Sequence, residues 1–325
     1  MSESIAESYP ELMHYTTAAG LTGIVTSGCL WATHAAFLND SQEIHHFIDG
    51  PFREVLLAEV LRLHIEHAAE KSQDQLLAQE IAPRSPAGFL ERWRASIVKN
   101  LNFFVFSMSR PTTEIVAAHG LLSQWRGYGH DGGYAIVLDT QDLNQLLQAE
   151  EKFNLCPTFM KKVIYTHEAN MDDPIAAQDT GAMDAIVKGI AMMLRGARGD
   201  ELIELSDAIT TLPVRYKHWG FEEECEVRIV ALLPRKDVAN FYAEYHGDKR
   251  QPKVPKAFIR GGVPVPYLEL FADRPGGSRH LPIKRVIVGP HRDQTLRIDA
   301  VQRLLAANGY VDVAVHGSAI PYLGR

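Results

Sequence analysis

The residues of this chain best suited to chemistry lie between Lys217 and Val230, KHWGFEEECEVRIV. From Glu224 to Ile229 charged and apolar residues alternate with period two, the pattern of a strand. Cys225, Val227 and Ile229 fall on one side, and Glu224, Glu226 and Arg228 on the other. Same-face neighbours on a strand are ~7 Å apart. Two carboxylates so placed raise each other's pKa, and a guanidinium beside them lowers both. That can hold a carboxylate ready for acid–base or electrostatic work; the plain alternative is a solvated face with an ordinary ion pair. Lys217, His218, Trp219 and Phe221 lead into the strand. Strand register decides whether Glu224 or Glu226 faces a cleft.

Other polar groups sit where strands or helices start and stop. His14, Tyr15 and Thr16 end an early strand, where a His can hold a ligand hydroxyl with one ring nitrogen. Asn39, Asp40 and Glu43 fit a helix cap with an acidic first turn, which also makes a cleft rim. Ser107 and Ser109 leave an apolar strand, and Gln124, Trp125 and Tyr128 precede the glycines at 127, 129, 132 and 133. Trp125 and Tyr128 share a helix face, either as core or as a stacking platform. Metal chemistry is not expected. His45 and His46 follow Glu43, and His64 and His67 share a helix, without an HExxH or a cysteine pair. A Ser–His–Asp triad remains open, although the chain has no GxSxG elbow.

These groups need a scaffold. Strands are expected at 12–16, 29–33, 103–109, 134–138, 161–165, 224–229, 286–289 and 311–315. Helices are expected at 17–28, from Thr112 or Thr113 to Trp125, at 139–150 and at 294–308. A helical insertion is expected at about 44–100, and a further helical segment at about 170–207. The fold class that results is α+β: one domain over 1–325, with a mixed or antiparallel sheet of short strands. Regular βαβ alternation and Gly-rich strand-to-helix fingerprints are missing, which argues against Rossmann and P-loop folds.

Composition narrows the class. The chain has 325 residues, 46% hydrophobic and 22% charged, an ordinary globular balance. Its three cysteines are widely spaced, which points to a reducing, cytoplasmic setting. The polar, acidic start is unlike a signal peptide, and no apolar run reaches spanning length. A net charge of −7 disfavours a broad footprint on duplex DNA. Two local basic clusters, at 245–256 and 284–297, leave a phosphate-binding groove open.

The ordered set of H-Y-T, W-A-T, F-x-N-D-x-x-E, F-S-x-S, W-x-x-Y, E-x-E-x-R, V-I-x-G and S-x-I-P-Y, from about Leu12 to Tyr322, resembles the bacterial domain-of-unknown-function family 2971. A weaker similarity is to ADP-ribosyltransferases, which implies an ADP-ribosyltransferase-like fold and NAD as substrate. Under that similarity Glu226 or Glu224 holds a ribose hydroxyl and steadies the oxocarbenium-like state, and His14 with Thr16 holds the other ribose. Tyr15, Trp31 or Tyr128 stacks on nicotinamide, Trp31 or Ser107 stands in the second-strand position, and Arg228 or Lys217 meets the pyrophosphate. Asn39, Ser109 and Trp125 complete the expected binding set. A second-strand tyrosine cannot be placed, which departs from the ADP-ribosyltransferase pattern. The function expected is an NAD-dependent enzyme that modifies a macromolecule, as a toxin or antiphage effector with a regulatory or antitoxin partner. The alternatives are a nucleic-acid-binding or nuclease module and a non-enzymatic nucleotide sensor.

Overall fold

A computed structural model describes residues 5–38, 53, 57–59, 62, 102–129, 132–166, 214–245, 247–274 and 280–321. Asn39, Asp40 and Tyr322, most of the insertion expected at 44–100, and the helix expected at 170–207 lie outside these residues. The chain divides into two compact units: Met1–Phe37, Phe103–Val163 and Phe221–Arg325 form one, Leu38–Asn102 and Ile164–Gly220 the other.

In chain order the first unit begins with α1 (Ile5–Ser8), β1 (Glu11–Thr16), α2 (Ala18–Ser27), β2 (Leu30–His34) and β3 (Asn102–Ser109). Then come α3 (Glu114–His119), α4 (Leu122–Tyr128), β4 (Tyr134–Asp139), α5 (Thr140–Phe153) and β5 (Thr158–Lys162). The second unit contributes β6 (Ile164–Thr166) and β7 (Tyr216–His218), a parallel pair. The first unit resumes with β8 (Glu226–Leu233), α6 (Lys236–Tyr245), β9 (Lys256–Arg260), β10 (Val263–Leu270), β11 (Ile283–Val288), α7 (Gln294–Ala307) and β12 (Ala314–Gly317).

The ten-stranded sheet runs β12-β11-β4-β1-β3-β2-β10-β9, and a branch leaves β3 through β8 to β5. The pairing is mostly antiparallel: β1 with β3 and β4, β2 with β3 and β10, β9 with β10, β4 with β11, and β5 with β8. β11 and β12 are parallel, joined through α7. The architecture is thus mixed α/β on a largely antiparallel sheet.

Each strand divides its residues between two faces. One face carries the larger core: Leu12, Phe104, Phe106, Met108, Ile136, Val227 and Ile229, covered by Leu21, Ile24 and Val25 of α2 and by Val301 and Leu305 of α7. The other face carries Met13, Tyr15, Ala135, Val137 and Ile287, packed against Trp125 of α4. Local signals set the helix ends. The Thr17 hydroxyl accepts from Gly20 N–H at the start of α2, and Gly28, at φ 64°, stops it.

The structure departs from the sequence reading in several places. The helix expected to run through to Trp125 is broken at Gly120 (φ 76°), whose missing Cβ leaves room for the Trp125 ring. The strand expected at 161–165 divides at Val163, because the Val163 N–H pairs with Glu226 and the Ile164 N–H with Arg215. The last strand begins three residues later than expected, at Ala314. The basic cluster at 245–256 runs into β9, whose hairpin to β10 turns at Gly261 and Gly262 (φ 57° and 79°), a two-glycine signal of the primed turns.

Candidate functional site

The most concentrated polar chemistry lies where β8 leaves β3. The Arg110 N–H donates to the Cys225 carbonyl at 3.1 Å, bringing the end of β3 beside the start of β8. On β3 the core takes Phe104, Phe106 and Met108, so Ser107 and Ser109 face the opposite side. On β8 the core takes Val227, Ile229 and Ala231, so Glu226 and Arg228 share that opposite side. Met13 is in register with Ser109, which places Met13 and Tyr15 there too. In the same way Trp31 and Thr33 alternate with the core residues Leu30 and Ala32. Ser107, Ser109, Glu226 and Arg228 are therefore on one face of the sheet, whereas the Trp31 ring lies against Gly23 of α2.

Glu226 and Arg228 form a fork-to-fork ion pair, with Nε to Oε1 at 2.7 Å and Nη2 to Oε2 at 3.1 Å. Glu226 is 6% exposed and Arg228 2%. A charge pair out of water needs such geometry, because desolvation of each ion must be offset by the other. Glu224 lies outside this strand. It ends a 3-10 turn over Trp219–Glu224, and β8 starts at Glu226, so the expected E-x-E strand face is corrected to E-x-R.

His14 points the other way. Its ring stacks on Phe106 at 4.2 Å, in the larger core, and Nδ1–H donates to the Ser107 carbonyl at 2.8 Å. A carbonyl only accepts, so Nδ1 carries the proton. Burial pushes its pKa down to about 4, so the ring is neutral at pH 7. Alternation puts Thr16 on the His14 side. His14 and Glu226, expected across one cleft, project from opposite faces.

Two of the expected stacking aromatics are core residues. Tyr15 meets Trp125 edge to face at 4.9 Å, its hydroxyl accepts from the Leu121 N–H, and burial lifts its pKa to about 12. Trp125 is 2% exposed and its indole N–H donates to the His119 carbonyl. Tyr128 packs against the same cluster. Trp31 is half-buried, 4.8 Å from the Tyr267 ring, and its indole N–H has no partner among the described residues. Lys217 is a buried residue of β7 in the second unit.

The basic clusters are largely engaged. Arg250 pairs with Asp248, Lys253 with Glu150 and Asp273, Lys256 with Glu269, Lys284 with Asp139, and Arg285 with Glu11. The buried Glu150–Lys253 contact, at 2.6 Å, escaped sequence reasoning. Its partners are a hundred residues apart and no short-range pattern links them. Among the described residues no three His, Cys, Asp or Glu side chains gather as a metal site requires. No described helix is long and apolar enough to cross a membrane.

No curated protein and no solved structure gives a significant match to this chain. The sequence model of one family, described as a protein of unknown function (DUF2971), matches residues 124–229, from the Trp125 helix through the Glu226–Arg228 strand.

Proposed function

We propose that this chain uses NAD as a substrate and transfers ADP-ribose to a macromolecular acceptor, with Glu226 as the acting carboxylate. The observation that carries the reading is the buried Glu226–Arg228 pair on the sheet face that also bears Ser107 and Ser109. In the transfer, the bond between nicotinamide nitrogen and ribose C1′ breaks, and its electron pair leaves with nicotinamide. Positive charge grows on C1′ and its ring oxygen, and an acceptor oxygen, nitrogen or sulfur then bonds to C1′ and loses its proton. A fixed carboxylate in water-poor surroundings stabilises that charge far more than one in water. Arg228 fixes the orientation of the carboxylate. The two serine hydroxyls can donate to and accept from ribose hydroxyls. His14, on the other face, takes a structural part in this account.

A second reading rests on the same pair. Both Glu226 oxygens engage Arg228, as they would if the pair served to fix strand register in a nucleotide sensor without turnover. The test is incubation of the purified chain with NAD and cell lysate, followed by mass spectrometry. The transfer reading expects nicotinamide release and an acceptor heavier by one ADP-ribose. Saturable NAD binding without release would replace it with the sensor reading.

A further inference from the structure

Two non-glycine residues in the described parts of the chain have a left-handed backbone, Cys225 at φ 46° and Phe271 at φ 71°. That region is disfavoured for any residue with a Cβ. Such a conformation persists when its surroundings over-determine it, and it clusters at functional positions. Cys225 is the single residue between the 3-10 turn that ends at Glu224 and the strand that starts at Glu226. Its N–H donates to the Glu222 carbonyl at 3.1 Å, its carbonyl accepts from the Arg110 N–H at 3.1 Å, and its thiol donates to the Glu222 carbonyl at 3.5 Å. An extended residue here would continue the strand backwards and bring Glu224 onto the face of Glu226. The left-handed turn removes Glu224 from the strand and makes Glu226 its first residue, aligned with Arg228.

We infer that the backbone turn at residue 225 is the device that aims Glu226, so that Cys225 is a positioning residue acting through its conformation. The inference rests on the transfer reading for its kinetic consequence but has a structural consequence of its own. Glycine adopts the turn without strain. A β-branched residue resists it most.

The experiment compares Cys225→Gly, Cys225→Ala, Cys225→Val and Cys225→Thr with the unaltered chain. NAD turnover and crystal structures are both measured. The expected result is kcat and KM within about twofold for Cys225→Gly. For Cys225→Val, kcat falls about tenfold to a hundredfold with little change in KM, as for a misplaced reacting group. Cys225→Ala, which keeps the Cβ and removes only the thiol, should stay within about twofold of the unaltered chain, and Cys225→Thr, also β-branched, serves if the valine variant does not fold. A β-branched variant, valine or threonine, as active as the unaltered chain would overturn the inference. So would a glycine variant as damaged as valine, since the thiol would then be the acting part. If the unaltered chain turns over no NAD, the transfer reading fails and the structures decide the positioning claim. A Glu226–Arg228 fork kept in Cys225→Gly and lost in the bulkier variant upholds it; a fork kept in both overturns it.

Discussion

His14 shows how a residue that looks chemical can be structural, and its protonation makes that testable. The folded chain protonates it at about 4, against an ordinary value of 6.5, because burial penalises the imidazolium. Between those values the unfolded chain binds more protons than the folded one. The contribution is complete above pH 6.5 and is lost as pH falls towards 4. At about 1.4 kcal/mol per unit the loss is roughly 3 kcal/mol. His14→Leu should remove that part of the fall in stability between pH 7 and 4, measured by urea denaturation across the range. An unchanged slope in the variant would contradict the buried, neutral assignment. The sequence showed that Glu226 and Arg228 share a face, because period two is local. It did not show that Glu224 leaves that face, because a single left-handed residue carries no signature when it is a cysteine.

At the scale of elements, glycines decide how the helices and loops close on the sheet. A Cβ on Gly289, at the end of β11, would lie 1.7 Å from the Gly132 carbonyl oxygen and 2.9 Å from the Trp125 ring. Gly289 N–H also donates to the Gly133 carbonyl, so neither backbone can simply withdraw. Gly289→Ala should cost about 1–3 kcal/mol, the usual range for overpacking. Gly127, inside α4, meets nothing within 4 Å, and Gly127→Ala should stabilise by about 0.5–1 kcal/mol. Thermal or urea unfolding of the two variants gives opposite signs on this account, and a matching sign would contradict it. The strands rich in apolar residues, β3, β4 and β11, were legible because buried strands read as apolar runs. The β9–β10 hairpin was not, because the basic cluster ending at Lys256 drew attention to charge and away from the Gly261-Gly262 turn.

For the whole molecule, the sequence made an antiparallel sheet readable from short strands separated by turns, but not its order. The branching of β8 from β3 depends on pairings between residues more than a hundred positions apart, which local pattern cannot encode. Tertiary pairing also changes the reading of charge. The basic clusters suggested phosphate contacts, yet Arg250, Lys253, Lys256, Lys284 and Arg285 each meet a carboxylate on a chain of net charge −7. Fluorescence anisotropy with a labelled duplex should therefore show no appreciable binding at about 150 mM salt. Tight binding with a steep salt dependence would favour the nucleic-acid alternative.

The central claim concerns one carboxylate, and one comparison tests it most directly: nicotinamide release from NAD by the unaltered chain, by Glu226→Ala and by Glu224→Ala. The account predicts a loss of about a hundredfold or more for Glu226→Ala, the scale seen when a group that stabilises transition-state charge is removed. It predicts near-normal release for Glu224→Ala, because Glu224 lies in the 3-10 turn outside the strand face. Release that survives Glu226→Ala, or that fails equally in both variants, would contradict it.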